Sequence, residues 1–146
     1  MDKTPKEYLR QIRLFDIFIR QKEAELAAVR SELESMSAAV TGERVQTSPK
    51  DKMSDEVSHL VDLEAQIRRD KEKFLHMKDR IINEIQSLDD SVYVDILYKR
   101  YVEYKQLEEI AVEMSYSYYR MKHLHGIALQ AFRKKYPEKF DANQER

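Results

Sequence analysis

The chain has 146 residues, 36% of them charged, with two glycines, three prolines and neither cysteine nor tryptophan. That length suits one or two small domains, and the lack of cysteine excludes disulfides, thiol catalysis and the usual zinc ribbons. A formal net charge of −1 leaves no large overall field, so any anion-binding surface must come from local segregation of charge.

Taken in order, the chain reads as helices throughout, an all-α fold; strand-type alternation is nowhere sustained. The stretch MDKTPKEYLRQIRLF is charged and lacks the apolar core of a signal peptide. Thr4 is placed to cap a first helix, with Pro5 at its first position and Glu7 three residues after the cap. From there apolar residues fall at Tyr8, Ile12, Phe15, Ile19, Leu26, Val29, Leu33, Met36 and Val40, in steps of four and three, with Lys22 as the one polar interruption. That period is a coiled-coil seam, and about 33 residues make a rod of roughly 50 Å. Leucine at position 22 is expected to tighten the rod if the seam is buried.

TGERVQTSPKDK, residues 41–52, follows, with Gly42 as a helix terminator and Ser48-Pro49 as a turn. A second long helix is expected from about Met53 to Leu88. Its ladder is Leu60, Ile67, Phe74, Ile81 and Leu88, with Met53, Val57 and Ile85 on the other seam and Glu64, Lys71 and Lys78 interrupting it. Two rods on a short connection predict an antiparallel helical hairpin, a coiled coil over residues 1–87. Leu9, Leu14, Phe18 and Leu63 lie off the seams, as a wider core stripe or as a surface for a second copy or a partner.

SLDDSVYVD breaks the register, and Asp89 or Asp90 caps a new helix carrying Val92, Ile96, Leu97 and Tyr101. Residues 88–146 then read as a helix-turn-helix domain. With Ala111 as the small residue at the crossing, Leu107, Ile110 and Met114 face inward and Tyr116 plugs the turn. On the second helix, residues 117–135, Met121, Leu124, Ala128, Leu129 and Phe132 form the inner face, and Ser117 caps the start. Tyr118, Tyr119, Arg120, Lys122, His123 and His125 are left pointing outward. Between Ser117 and Lys135 there are five basic residues and no acid, a separation of charge that points to an anionic, grooved partner, duplex DNA above all. Lys99, Arg100 and Lys105 are placed to add phosphate contacts. Gly126, inside the second helix, is expected to allow close packing against the first.

LYKRYVEYKQLEEIAVEMSYSYYRMKHLHGIALQAFRKKY resembles region four of the sigma-70 family, which reads promoter −35 elements. The resemblance lies in the Glu-Glu-Ile-Ala core, the capping Ser117 and the apolar positions Met121, Leu124, Ala128, Leu129 and Phe132. The whole chain, with GERVQTSPKDKM and HLHGIAL, is similar to a family of small phage and prophage proteins of Gram-positive bacteria, described mostly as uncharacterised or as sigma-like and late-operon transcriptional regulators. The resemblance implies that Tyr118, Tyr119, Lys122 and His123 contact bases and flanking backbone, with Arg120 beside them. Ser115 stands where many helix-turn-helix proteins have glycine, and tyrosines replace the charged residues usual in sigma factors at positions 118 and 119. Nothing resembles the sigma region that melts the −10 element, so the chain is not expected to start transcription alone.

The function expected is a phage-type, sequence-specific DNA-binding transcriptional regulator. Its hairpin serves homodimerisation or contact with host RNA polymerase, and its place is the bacterial cytoplasm, on the nucleoid when bound. The alternatives are a small terminase-like DNA-packaging subunit and a helical protein-interaction adaptor. No catalytic constellation stands out from the charged helical background. His123 and His125, two apart, do not share the helix face that a metal favours. No cofactor or metal is expected, and no membrane partner either, since no run approaches the roughly 18 apolar residues that span a bilayer.

Overall fold

The structure, a computed structural model, describes residues 4–40 and 48–140, and every regular element among them is helical. In chain order these are α1 (Pro5–Val40), α2 (Ser48–Gln86), α3 (Ser91–Leu97), a π-helical turn (Tyr98–Val102), α4 (Leu107–Glu113), α5 (Tyr118–Lys135) and a 3₁₀ turn (Pro137–Lys139). Gly42 and the rest of residues 41–47 lie outside the described residues. α2 starts about five residues earlier than expected, because Ser48-Pro49 opens the helix instead of turning the chain. Proline is at home in a first turn, where its missing N–H has no partner to lose.

Local chemistry sets several boundaries as expected. The Thr4 hydroxyl accepts the Glu7 amide at 3.1 Å, and its carbonyl accepts the Tyr8 amide at 3.0 Å, so α1 begins capped at Pro5. Asp90 caps α3, its carboxylate accepting the Val92 amide at 2.8 Å.

The chain forms two compact units, and they do not divide at the boundary read near Ser87. One consists of Asp16–Phe74; the other joins the residues up to Phe15 to those from Leu75 onward. The reason lies in side chains that periodicity assigned to the rods. Tyr8, Leu9 and Ile12 of α1 and Ile81 and Ile85 of α2 are buried in the unit that also contains α3, α4 and α5. The Tyr8 ring lies tilted against Phe132 and edge-on to Phe140, with ring centroids 5.9 Å apart in each case. Its hydroxyl donates to the Glu84 carboxylate. Lys139 faces the other oxygen of Glu84 at 3.0 Å and lies 4.8 Å from the Tyr8 ring centre. The buried Glu84 thus has a phenol on one oxygen and a cation facing the other. The Ser87 hydroxyl donates to the Glu84 carbonyl at 2.6 Å, which leaves Ser87 to accept from the Tyr136 hydroxyl at 2.6 Å.

In the other unit, α1 and α2 pair as an antiparallel hairpin. Lys22 pairs with Asp70 at 2.6 Å and, further along α1, Arg30 pairs with Glu64 at 2.7 Å, so the partners descend α2 as α1 is climbed; Glu23 pairs with Lys71. Ile19, Val29, Leu63 and Ile67 form the buried line between them. The charged interruptions Lys22, Glu64 and Lys71 are therefore matched across the pair. Of the residues off the seams, Leu9 and Leu63 are core, while Leu14 and Phe18 stay half exposed. Val57, expected in a seam, is also exposed.

Lys22 is therefore not a flaw in the seam. Its side chain is 30% exposed and that of Asp70 20%, so removing the lysine leaves a half-buried carboxylate without its cation. Lys22→Leu alone is expected to lower the stability by about 1 kcal/mol. Adding Asp70→Leu should restore it to at least the wild-type value. Thermal unfolding of the two variants checks this, and a stabilised single variant would contradict it.

Candidate nucleic-acid interface

α4 and α5 cross around Ala111, which is 3% exposed. Ile110, Met121, Leu124 and Ile96 close the core there, with Leu107, Met114 and Tyr116 packed against it. The connection ends α4 with a backbone lock. The Ser115 amide donates to Val112 at 3.3 Å and the Tyr116 amide to Ala111 at 2.9 Å, with Ser115 itself left-handed at φ 61°. This is the two-bond ending usually built on glycine. Serine adopts it at a cost of roughly 1 kcal/mol, and the four residues from Met114 to Ser117 turn the chain into α5. Ser117 then caps α5, its hydroxyl accepting the Arg120 amide at 3.1 Å.

Met121, Leu124, Ala128 and Phe132 are buried along one side of α5. Ser117, Tyr118, Tyr119, Arg120, Lys122 and His123 are all exposed at its start. Tyr119 is 85% exposed, the most of any large hydrophobic residue described on this helix. Two cations lie against neighbouring rings. The Arg120 guanidinium is 5.8 Å from the Tyr116 ring centre, and the Lys122 ammonium 5.3 Å from that of Tyr118. Such contacts restrain long side chains before any partner arrives. Among the described residues neither cation is paired with a carboxylate.

Three expected phosphate ligands are already engaged within the chain. Lys99 and Lys105 grip the two oxygens of Glu113 at 2.9 and 2.7 Å, and Lys105 also holds Glu103 at 3.0 Å. Hydrogen bonding to Glu113 raises the pKa of both lysines, and the same bonds lower that of Glu113. Arg100 donates to the Lys105 carbonyl at 3.0 Å. These cations brace the end of α4, where a lone carboxylate is disfavoured by the helix dipole. At the far end of α5, Lys134 and Lys135 line a shallow cleft with Asp89 and Asp90.

His125 departs from its expected outward position. It is 8% exposed, with Nε2 2.8 Å from the Tyr101 hydroxyl and its ring stacked on that of Tyr101 at 5.8 Å. Its place follows from α5 itself, since position 125 lies four residues after Met121, three before Ala128 and seven before Phe132, on the buried side of the helix. Its partner Tyr101 sits in the π-helical turn, in which the Glu103 amide reaches back five residues to the Tyr98 carbonyl at 3.1 Å. Gly126 also departs from expectation. It is exposed, and a Cβ built on it meets nothing within 4 Å, so it allows no close helix packing.

Compared with known protein families, curated proteins and solved structures, the chain matches none. No helix among the described residues is long and apolar enough to cross a membrane.

Burial, with Arg100, Lys6 and Arg10 adding positive charge, pushes the pKa of His125 down from 6.5 to about 4. Unfolded chains therefore take up this proton before folded ones do. The stability that His125 contributes is complete above pH 6.5 and is lost as the pH falls towards 4. Denaturant unfolding followed across this range should show stability falling more steeply in the wild type than in His125→Gln, which retains a partner for Tyr101. Parallel profiles would contradict this account of the buried imidazole.

Proposed function

We propose that the chain is a duplex-DNA-binding transcriptional regulator that reads the major groove with the exposed face at the start of α5. One observation carries this reading. Arg120, Lys122 and His123 lie in the first two turns of α5, which contain no acid. A helix start already carries the positive end of the backbone dipole, so its own stability favours acids there and disfavours cations. α4 follows that preference with Glu108 and Glu109 in its first turn; α5 does the opposite. Three cations at the far end of α5, Arg133, Lys134 and Lys135, complement the dipole and need no partner to explain them. Arg120 and Lys122 have no such reason within the fold. Their charge adds to that of the helix end and favours an anion outside the protein.

The geometry suits a groove. Tyr119, Lys122 and His123 project from one side of a helix whose opposite side is fixed in the core. A protruding helix about 10–12 Å across enters a major groove about 12 Å wide. Arg120 and Lys122 supply phosphate or base contacts, and the tyrosines supply apolar surface and hydroxyls. This reading agrees with the resemblance to sigma-70 region four and to the phage regulator family. In the same reading the hairpin holds a second copy or host RNA polymerase. Its support is that Leu14, Ile17 and Phe18 remain 41–52% exposed on α1.

Arg120→Ala with Lys122→Ala is expected to abolish salt-sensitive binding to short mixed-sequence duplexes, because each lost phosphate contact also removes about one unit from the salt slope. Helicity and oligomeric state should not change. Fluorescence anisotropy over a salt series measures this; an unchanged affinity excludes this face as the DNA contact.

A further inference from the structure

Gly126 raises the same kind of question as Arg120 and Lys122, since it is a residue that the helix would not choose for itself. Glycine in a helix interior costs about 1 kcal/mol relative to alanine. Such a glycine is normally explained by a left-handed φ, by a neighbour that leaves no room for Cβ, or by a kink. The first two do not apply: no described glycine has positive φ, and nothing lies within 4 Å of a Cβ built here. α5 continues through it from Tyr118 to Lys135, so no described neighbour asks for glycine at this position.

The position says what kind of reason. Gly126 shares the exposed side of α5 with Tyr119, Lys122, His123 and Gln130, all exposed, at helical steps of three and four. It lies two turns, roughly 12 Å, beyond the start of the helix. A helix that enters a groove with its first turns must pass under the groove wall farther along. There the bare backbone of glycine narrows the cylinder on the side facing the partner.

We propose that Gly126 is the point at which the sugar–phosphate wall of the bound duplex comes closest to α5, so that the missing side chain lets Tyr119, Lys122 and His123 reach the base edges. This inference rests on the DNA-binding reading of the same face. It makes Gly126 a residue kept for binding at the expense of stability.

The test is a size series in the full-length protein, Gly126→Ala and Gly126→Gln, with thermal unfolding and anisotropy on the same short mixed-sequence duplex. Both substitutions should raise Tm by about 3 °C, since both residues favour helix and the site is open. Affinity should fall with size, by about tenfold for glutamine, the equivalent of 1.4 kcal/mol. Higher Tm with unchanged or tighter binding in both variants overturns the proposal, as does a lower Tm, which would mean that the chain itself fills the site. Arg120→Ala with Lys122→Ala separates the two levels of the argument. If the wild type binds and this double variant does not, an indifferent Gly126 series defeats only the close approach. If the wild type takes up no duplex, the DNA reading and this inference fall together.

Discussion

The close crossing of α4 and α5 at Ala111 is the constraint on which the rest of the small unit depends. A larger residue there would push the helices apart and open the core around Ile96, Ile110, Met121 and Leu124. Further along, His125 is held by Tyr101, and Phe132 by the rings of Tyr8 and Phe140. α5 is thus fastened along one side from Met121 to Phe132, and that fastening leaves its other side in a defined direction. A surface meant to read a partner needs this rigidity, because side chains on a loose helix spend binding energy on being ordered.

Much of this was legible because it is local. A capping hydroxyl acts on an amide three residues away, so Thr4, Asp90 and Ser117 declare themselves in sequence. The inner face of α5 follows from helical spacing. What stayed hidden depends on residues distant along the chain. The unit containing α5 recruits Tyr8, Leu9 and Ile12 from the start of α1, and a seam pattern has no means of showing that its first turns pack elsewhere. The inward place of His125 agrees with the spacing of α5, but a polar ring there reads as outward until its partner, the Tyr101 hydroxyl 24 residues earlier, is known. The loss of Lys99 and Lys105 as free cations depends on Glu113, 14 and 8 residues away across a turn.

Charge explains how a nearly neutral protein presents a cationic face. In the hairpin Lys22, Glu64 and Lys71 are matched across the pair, and around α4 Lys99 and Lys105 are absorbed by Glu113 and Glu103. These matched charges cancel within a few ångströms, and exposed charges beyond about one Debye length, roughly 8–10 Å, are screened. What persists is the short acid-free start of α5, where side chains and backbone dipole have the same sign. Local arrangement, not net charge, therefore decides where the surface favours an anion.

The most direct test of the central claim is amide hydrogen exchange of the full-length protein with and without a short duplex, at low and at moderate salt. The account predicts added protection concentrated between Ser117 and Gly126, fading as salt rises. Exchange in α5 that ignores the duplex, or protection confined to Asp16–Phe74, would contradict it.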